Sequence, residues 1–211
     1  MRKRILFVLA FCGLGMMAAS AQTFNFNVGG GIGGAFGQVG KATGASYNLV
    51  AGGGLNLNRS FGMKAEYMRY DLRFLSSVKD QQQLPGASGH VQSATLNLFF
   101  DHSLGGKWGV YGIGGGGWYQ RMVDARSQVL VPGTVCQPAW ALWGITCTDG
   151  LVITTQTLSS NTVDGFGYNF GGGLTYRFTK RAKFYVEGRY HHANTSDQHT
   201  TIFPVTGGLR W

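Results

Sequence analysis

From Gly165 to Thr179 the chain alternates with a period of two. Even positions carry Phe166, Tyr168, Phe170, Leu174, Tyr176 and Phe178. Odd positions carry Gly165, Gly167, Asn169, Gly171, Gly173, Thr175, Arg177 and Thr179. Such a pattern suits a strand with one greasy face and one small or polar face, and no helix can satisfy it. In a soluble sandwich the apolar face would turn inward, yet the other face here is too rich in glycine to be an ordinary solvated surface.

The pattern recurs along the chain. Phe24, Phe26, Val28, Ile32 and Phe36 alternate with Asn25, Asn27 and glycines; Tyr47, Leu49, Ala51, Leu55 and Leu57 alternate with Asn48, Gly52, Gly54 and Asn56. Phe61, Met63, Ala65 and Tyr67 flank Lys64 and Glu66, and Leu96, Leu98 and Phe100 flank Asn97. Tyr111, Ile113 and Tyr119 alternate with Gly112, Gly114 and Gly116; Phe184, Val186 and Tyr190 alternate with Tyr185, Glu187 and Arg189. Phe203, Val205, Leu209 and Trp211 close the series. With the 165–179 segment this makes eight strands, each long enough to cross a bilayer as a tilted strand of about 9–11 residues.

A spanning sheet must satisfy every backbone group internally, so it must close on itself. The expectation is therefore all-β: an eight-stranded antiparallel up-and-down transmembrane β-barrel with apolar faces outward. Only 13% of residues are charged and 35 are glycine, which fits a chain ordered by backbone pairing. Phe24, Tyr47, Phe61, Tyr119 and Phe178 fall where interfacial aromatic girdles belong. Pro204 removes a ladder donor and marks a bulge or a local break in the last strand. The stretches 58–60, 104–107 and 180–183 read as tight turns facing the periplasm. The connections around 38–45, 76–90, 126–162 and 195–201 read as mostly longer exterior loops.

The first 21 residues have the marks of a secretory signal. Arg2, Lys3 and Arg4 precede an apolar run from Ile5 to Met17, and Ala19-Ser20-Ala21 is a small-residue cleavage pattern. The expected organisation is a signal peptide over 1–21 and a barrel domain over 22–211, the mature chain starting at Gln22. Losing those three cations takes the net charge from +9 to +6. It also leaves Cys136 and Cys147, an even pair in an exported chain, which reads as a disulfide in place of a metal site.

The signal segment, the eight alternating stretches, Phe203-Pro204-Val205-Thr206 and the final Gly208-Leu209-Arg210-Trp211 together resemble the OmpA-like / OmpX-like outer membrane β-barrel family. The resemblance covers essentially the whole mature chain. It implies residence in the outer membrane of a Gram-negative bacterium and a chain that is a barrel without a peptidoglycan-binding domain. It also implies that Leu209 and Trp211 form the signal read by the barrel assembly machinery.

Several constellations invite chemistry. Gly29, Gly31 and Gly34, and again Gly112, Gly114 and Gly117, match G-x-G-x-x-G, but no amphipathic helix follows to present N–H groups to a phosphate. Lys64, Glu66, Arg177, Glu187, Arg189 and Arg210 share inward parity. They read as an ion-pair network filling a barrel just wide enough for side chains, with a charged pore as the alternative. The Arg189–Asn194 stretch faintly resembles the H-x-S-N motif of lipid A deacylase barrels: His191 and Asn194 match, while Ala193 stands at the nucleophilic serine position. Ser196 and Asp197 lie nearby, but spacing alone makes no triad.

No catalytic, cofactor or metal residues are assigned. The basic surplus is scattered, which argues against nucleic acid and for lipopolysaccharide head groups and outer membrane lipid as partners. Within 126–162, Trp140 and Trp143 lie between the cysteines. They are candidates for contact with a cell-surface or host partner, with simple extension of strands five and six as the bland alternative. The leading expectation is a monomeric, non-enzymatic barrel with a structural or surface-interaction role. A narrow porin and a lipid A-modifying enzyme stand as alternatives.

Overall fold

The computed structural model describes residues 23–81, 86–139, 144–195 and 199–211. The expected signal peptide and its cleavage point therefore lie outside the described residues. Eight strands run in chain order: β1 (Thr23–Phe36), β2 (Ser46–Asn56), β3 (Phe61–Leu72), β4 (Ser88–Gly105), β5 (Trp108–Ala139), β6 (Gly144–Arg177), β7 (Lys183–Thr195) and β8 (His199–Arg210). Each pairs antiparallel with its neighbours, and β8 returns to β1 to close the barrel. At the closure Phe26 and Trp211 exchange both backbone hydrogen bonds, at 2.8 and 3.0 Å.

The tight turns are fixed by local chemistry. Gly105 and Gly106 take φ of +108° and +59°, values that a residue with Cβ rarely adopts. The Asn58 side chain accepts from the backbone N–H groups of Ser60 and Phe61 at 2.9 and 2.7 Å. Thr179 Oγ1 accepts from those of Arg181 and Ala182 at 3.3 and 2.9 Å.

The opposite end departs from a set of plain loops. A short helix α1 (Gly37–Ala42) joins β1 to β2, and α2 (Ser76–Gln81) lies between β3 and β4. Each has six residues, too few to show a helical period in the sequence. The β7–β8 connection is shorter than expected, since β7 ends at Thr195 and β8 begins at His199. In the stretch around 126–162 the described residues continue β5 and β6, which reach 32 and 34 residues.

Apolar faces point outward on seven strands, but β5 inverts the expectation. Tyr111, Ile113 and Tyr119 are buried in the lumen, while Trp108 and Trp118 face outward with Gly112, Gly114 and Gly116 on their parity. Tyr119 is thus no girdle residue. Trp108 stacks edge-on with Tyr176 at 4.9 Å and Trp118 with Phe166 at 5.6 Å. These pairs mark two aromatic levels ten residues apart on one strand, the crossing length of a bilayer strand.

Pro204 breaks the ladder without bulging it. Pairing between β7 and β8 stops at Gly188↔Val205 and resumes at His191↔Ile202 in the same register. On its other side Pro204 remains opposite Gly33.

Candidate functional site

The lumen is filled in three layers. Toward the helix-bearing end, Val50, Met68, Tyr70, Leu72, Val91, Tyr119, Ala193 and Ile202 form an apolar cluster. Toward the tight turns, Phe99, Tyr111, Ile113 and Tyr185 form a second. Ionic and amide side chains lie between them.

Glu66 is the hub of that middle layer. Lys64 Nζ stands 2.8 Å from its Oε1 and Arg189 Nη1 2.6 Å from its Oε2. Asn27 and Asn97 each donate a side-chain N–H to the same carboxylate at 2.9 Å. Arg189 also donates from Nε to Glu187 Oε1 at 2.6 Å, and the Tyr111 hydroxyl donates to Glu187 Oε2 at 2.7 Å. Asn169 extends the chain by donating to Asn97 at 2.9 Å. Every one of these residues is buried, so the charges persist because they are paired and hydrogen-bonded.

The structure thus brings together Lys64, Glu66, Glu187 and Arg189. Arg210 is buried nearby but joins no ion pair among the described residues. Arg177 is corrected outright. It has inward parity but is the last residue of β6, at the rim, where its side chain is exposed. What the sequence reading missed is the apolar and aromatic filling, because Met68, Tyr70, Tyr185 and Ile202 occupy parity expected to be small or polar, and Tyr111, Ile113 and Tyr119 were expected on the outer face.

The two adjacent histidines are separated by the barrel wall. His191 points inward, with Nδ1 2.9 Å from the Tyr119 hydroxyl. His192 points outward, bonded through its ring nitrogens to Thr201 and Asn194 at 3.0 and 3.1 Å. Ala193, at the position of the deacylase serine, is buried in the upper apolar cluster. Ser196 and Asp197 lie outside the described residues. Among the described residues no group of three or more His, Cys, Asp or Glu is placed to hold a metal ion.

Beyond the barrel β5 and β6 continue as a two-stranded ribbon. Its ladder runs from Arg126↔Thr157 to Ala139↔Gly144, after β4 and β7 have both ended. These fourteen residues of β5, at a rise of about 3.3 Å each, extend the ribbon by roughly 45 Å. At its base the register shifts between Ala125 and Arg126, leaving Leu158 as the extra residue of a bulge that re-aims the strands. Cys136 and Cys147 face each other in the ladder and are joined by a disulfide. Trp140 and Trp143 lie outside the described residues. Leu130 opposite Ile153, and Pro132 opposite Leu151, place an apolar cluster on one ribbon face, with the three aliphatic side chains at 62–64% exposure.

At the closing seam, Leu209 and Trp211 both face outward and are half-exposed on the lipid side.

The outer membrane protein beta-barrel domain family matches residues 6–210. The chain belongs to that family. Its place is the outer membrane of a Gram-negative bacterium. No curated protein matches it in sequence. Among solved structures, Neisserial surface protein A aligns with a TM-score of 0.62 at 12% identity, covering 90% of this chain and 98% of the other. The attachment invasion locus protein Ail of Yersinia pestis aligns at 0.48 and 12% identity, covering 91% and 99%. The N-terminal barrel of Pseudomonas aeruginosa OprF aligns at 0.46 and 11% identity, covering 91% and 100%. For this outer membrane barrel the likeness to the Neisserial protein is one of fold.

Proposed function

We propose that the protein is a non-enzymatic, plugged outer membrane barrel that carries the β5–β6 ribbon to a partner at the cell surface. The observation that carries this reading is the ribbon itself. The membrane asks for about 9–11 residues per strand, and β5 and β6 exceed that roughly threefold. The excess is covalently stapled and bears an exposed apolar face, which suits contact with another surface.

The layered interior supports this reading over a narrow porin. Buried Ala193 and the inward-facing His191, held against the Tyr119 hydroxyl in the lumen, count against chemistry on lipid A. The remaining partners are expectations of the same proposal. Leu209 and Trp211 present the assembly machinery with an outward apolar–aromatic pair. Exposed Arg69, Arg73 and Arg126, toward the ribbon end, suit lipopolysaccharide phosphates. The barrel acts as a monomer, and the ribbon meets a host or neighbouring cell.

The test replaces residues 128–155 with a two-residue turn and displays both forms at equal surface density. The shortened barrel should fold and insert normally, while attachment to epithelial cells or matrix-coated plates falls to the level of cells without the protein. Equal attachment by both forms would overturn the proposal.

A further inference from the structure

Arg210 stands apart from the other buried charges. Its side chain is 5% exposed, and Nε, Nη1 and Nη2 all lack a hydrogen-bond partner among the described residues. The guanidinium lies against three rings, 4.3 Å from the Tyr111 centroid, 5.4 Å from Tyr185 and 5.5 Å from Phe99. Ring contacts engage the flat face of the cation and leave its in-plane N–H donors unfilled. The neighbouring carboxylate of Glu187 is already committed to Arg189 and Tyr111.

Charge counting reaches the same residue. Among the described residues the buried charged side chains are Lys64, Arg189 and Arg210 against Glu66 and Glu187, three cations to two anions. Since Lys64 and Arg189 are paired, the surplus charge falls on Arg210.

Arg210 also lines a cavity of about 510 Å³ at the tight-turn mouth of the barrel, where both ends of the described chain lie. The cavity wall includes Lys180, Arg181 and Lys183, with Asp101 as its acid, and Asp101 is taken by Lys183 at 2.7 Å. Phe24, Phe26 and Trp211 line the same rim and are exposed on the lipid side. The cavity therefore sits at the level of the membrane–water interface.

We propose that this mouth binds a phosphate-bearing anion, with Arg210 as the innermost donor and Lys180 and Arg181 at the entrance. The guanidinium fork matches two oxygens of one phosphate, a pairing stronger than a neutral hydrogen bond. The rim aromatics favour a phosphate at headgroup height, and basic pockets at a membrane face commonly hold anionic head groups. An inner-leaflet phospholipid and a soluble phosphate share this chemistry.

The test uses the mature protein refolded in an uncharged maltoside detergent. Native mass spectrometry follows retention of phosphatidylglycerol against phosphatidylcholine, and phosphorus NMR follows line broadening of inorganic phosphate. Two variants are compared, Arg210→Met and the exposed-turn pair Lys180→Ser with Arg181→Ser. Arg210→Met should weaken binding by about tenfold or more, the loss expected for charge-assisted bonds, and the turn pair should weaken it severalfold without altering folding. Retained phosphatidylglycerol identifies a lipid headgroup; broadening of inorganic phosphate with no lipid retained identifies a soluble source, and either supports the site. Failure of both probes to bind, or binding of wild-type strength in both variants, overturns it. Should Arg210→Met not fold, the turn pair decides alone, and wild-type binding there overturns the proposal.

Discussion

Removing the Glu66 carboxylate should be the most damaging single change in the lumen. In Glu66→Ala, Lys64 loses its ion-pair partner at 2.8 Å, Arg189 loses one of two carboxylates, and two asparagine amides lose an acceptor. Lys64 is then a cation 1% exposed with no carboxylate beside it. Breaking a buried pair from one side typically costs about 3–5 kcal/mol, most of it the stranded charge. Glu187→Ala should cost less, about 2 kcal/mol, because Arg189 keeps Glu66 while the Tyr111 hydroxyl loses its acceptor. Asp80→Ala, on an exposed helix, should stay within about 0.5 kcal/mol of wild type. If the stranded charge is the cause, Lys64→Met combined with Glu66→Leu should recover more than half of the Glu66→Ala loss. The assay is urea unfolding of the refolded barrel in lipid vesicles, followed by tryptophan fluorescence. Equal midpoints for Glu66→Ala and Asp80→Ala would refute the claim that the network holds the interior together.

Three further outcomes are expected. In planar bilayers the protein should give no steady conductance, because three layers of side chains fill the lumen; reproducible ion-selective open states would restore the porin alternative. Gly115→Ala should destabilise by about 1–3 kcal/mol, since a Cβ there meets the Leu96 carbonyl and the Asn97 side chain, whereas Gly112→Ala meets open space and should be near neutral; unfolding midpoints of the two variants check the inward and outward parity of β5. Non-reducing peptide mapping should recover Cys136 bonded to Cys147, and reduction should leave the barrel's unfolding midpoint unchanged because the pair lies in the ribbon beyond the last β4 and β7 partners.

How much of this could be read from the sequence depends on which rule was applied to each strand. Periodicity located all eight strands, because the same alternation recurs throughout the chain after residue 21, where no long apolar run offers another reading. Periodicity alone does not say which face points outward, and in β5 the rule of apolar residues outward failed. The needed signal was nearby. Cross-strand partners share a face, and the tight turn at 104–107 sets Phe100 opposite Gly112. Once Phe100 is outward, Gly112 must be outward and Tyr111 and Ile113 inward. The two tryptophans at positions 108 and 118 share the parity of Gly112, which gives the same answer. The ion network was legible because charged residues on a glycine-rich face have few places to go. Arg177 misled because parity fixes a direction but not a depth, and at the last residue of β6 the lumen opens to water.

The ribbon and the barrel differ in how their backbones are satisfied, and that difference bears on where interaction belongs. Within the barrel each strand is paired on both sides, so no edge is offered. Among the described residues, β5 beyond Arg126, whose carbonyl accepts from the Gly86 N–H, and β6 before Gly165 each keep one edge without a strand partner. Proteins usually blunt such edges with charges or prolines. Between Ser127 and Ser160 the only charged residue is Asp149, and the only prolines, Pro132 and Pro138, are both on β5. Proline interrupts the row of donors along the β5 edge, whereas β6 offers an edge rich in threonine and glycine with no proline. A ribbon so little protected would pair indiscriminately if it were also free to slip in register. The Cys136–Cys147 bond prevents slippage by locking one cross-strand pair, which keeps Leu130 opposite Ile153 on one face. The staple therefore matters less for the stability of the barrel than for holding a bare, uncharged surface in a single presentation.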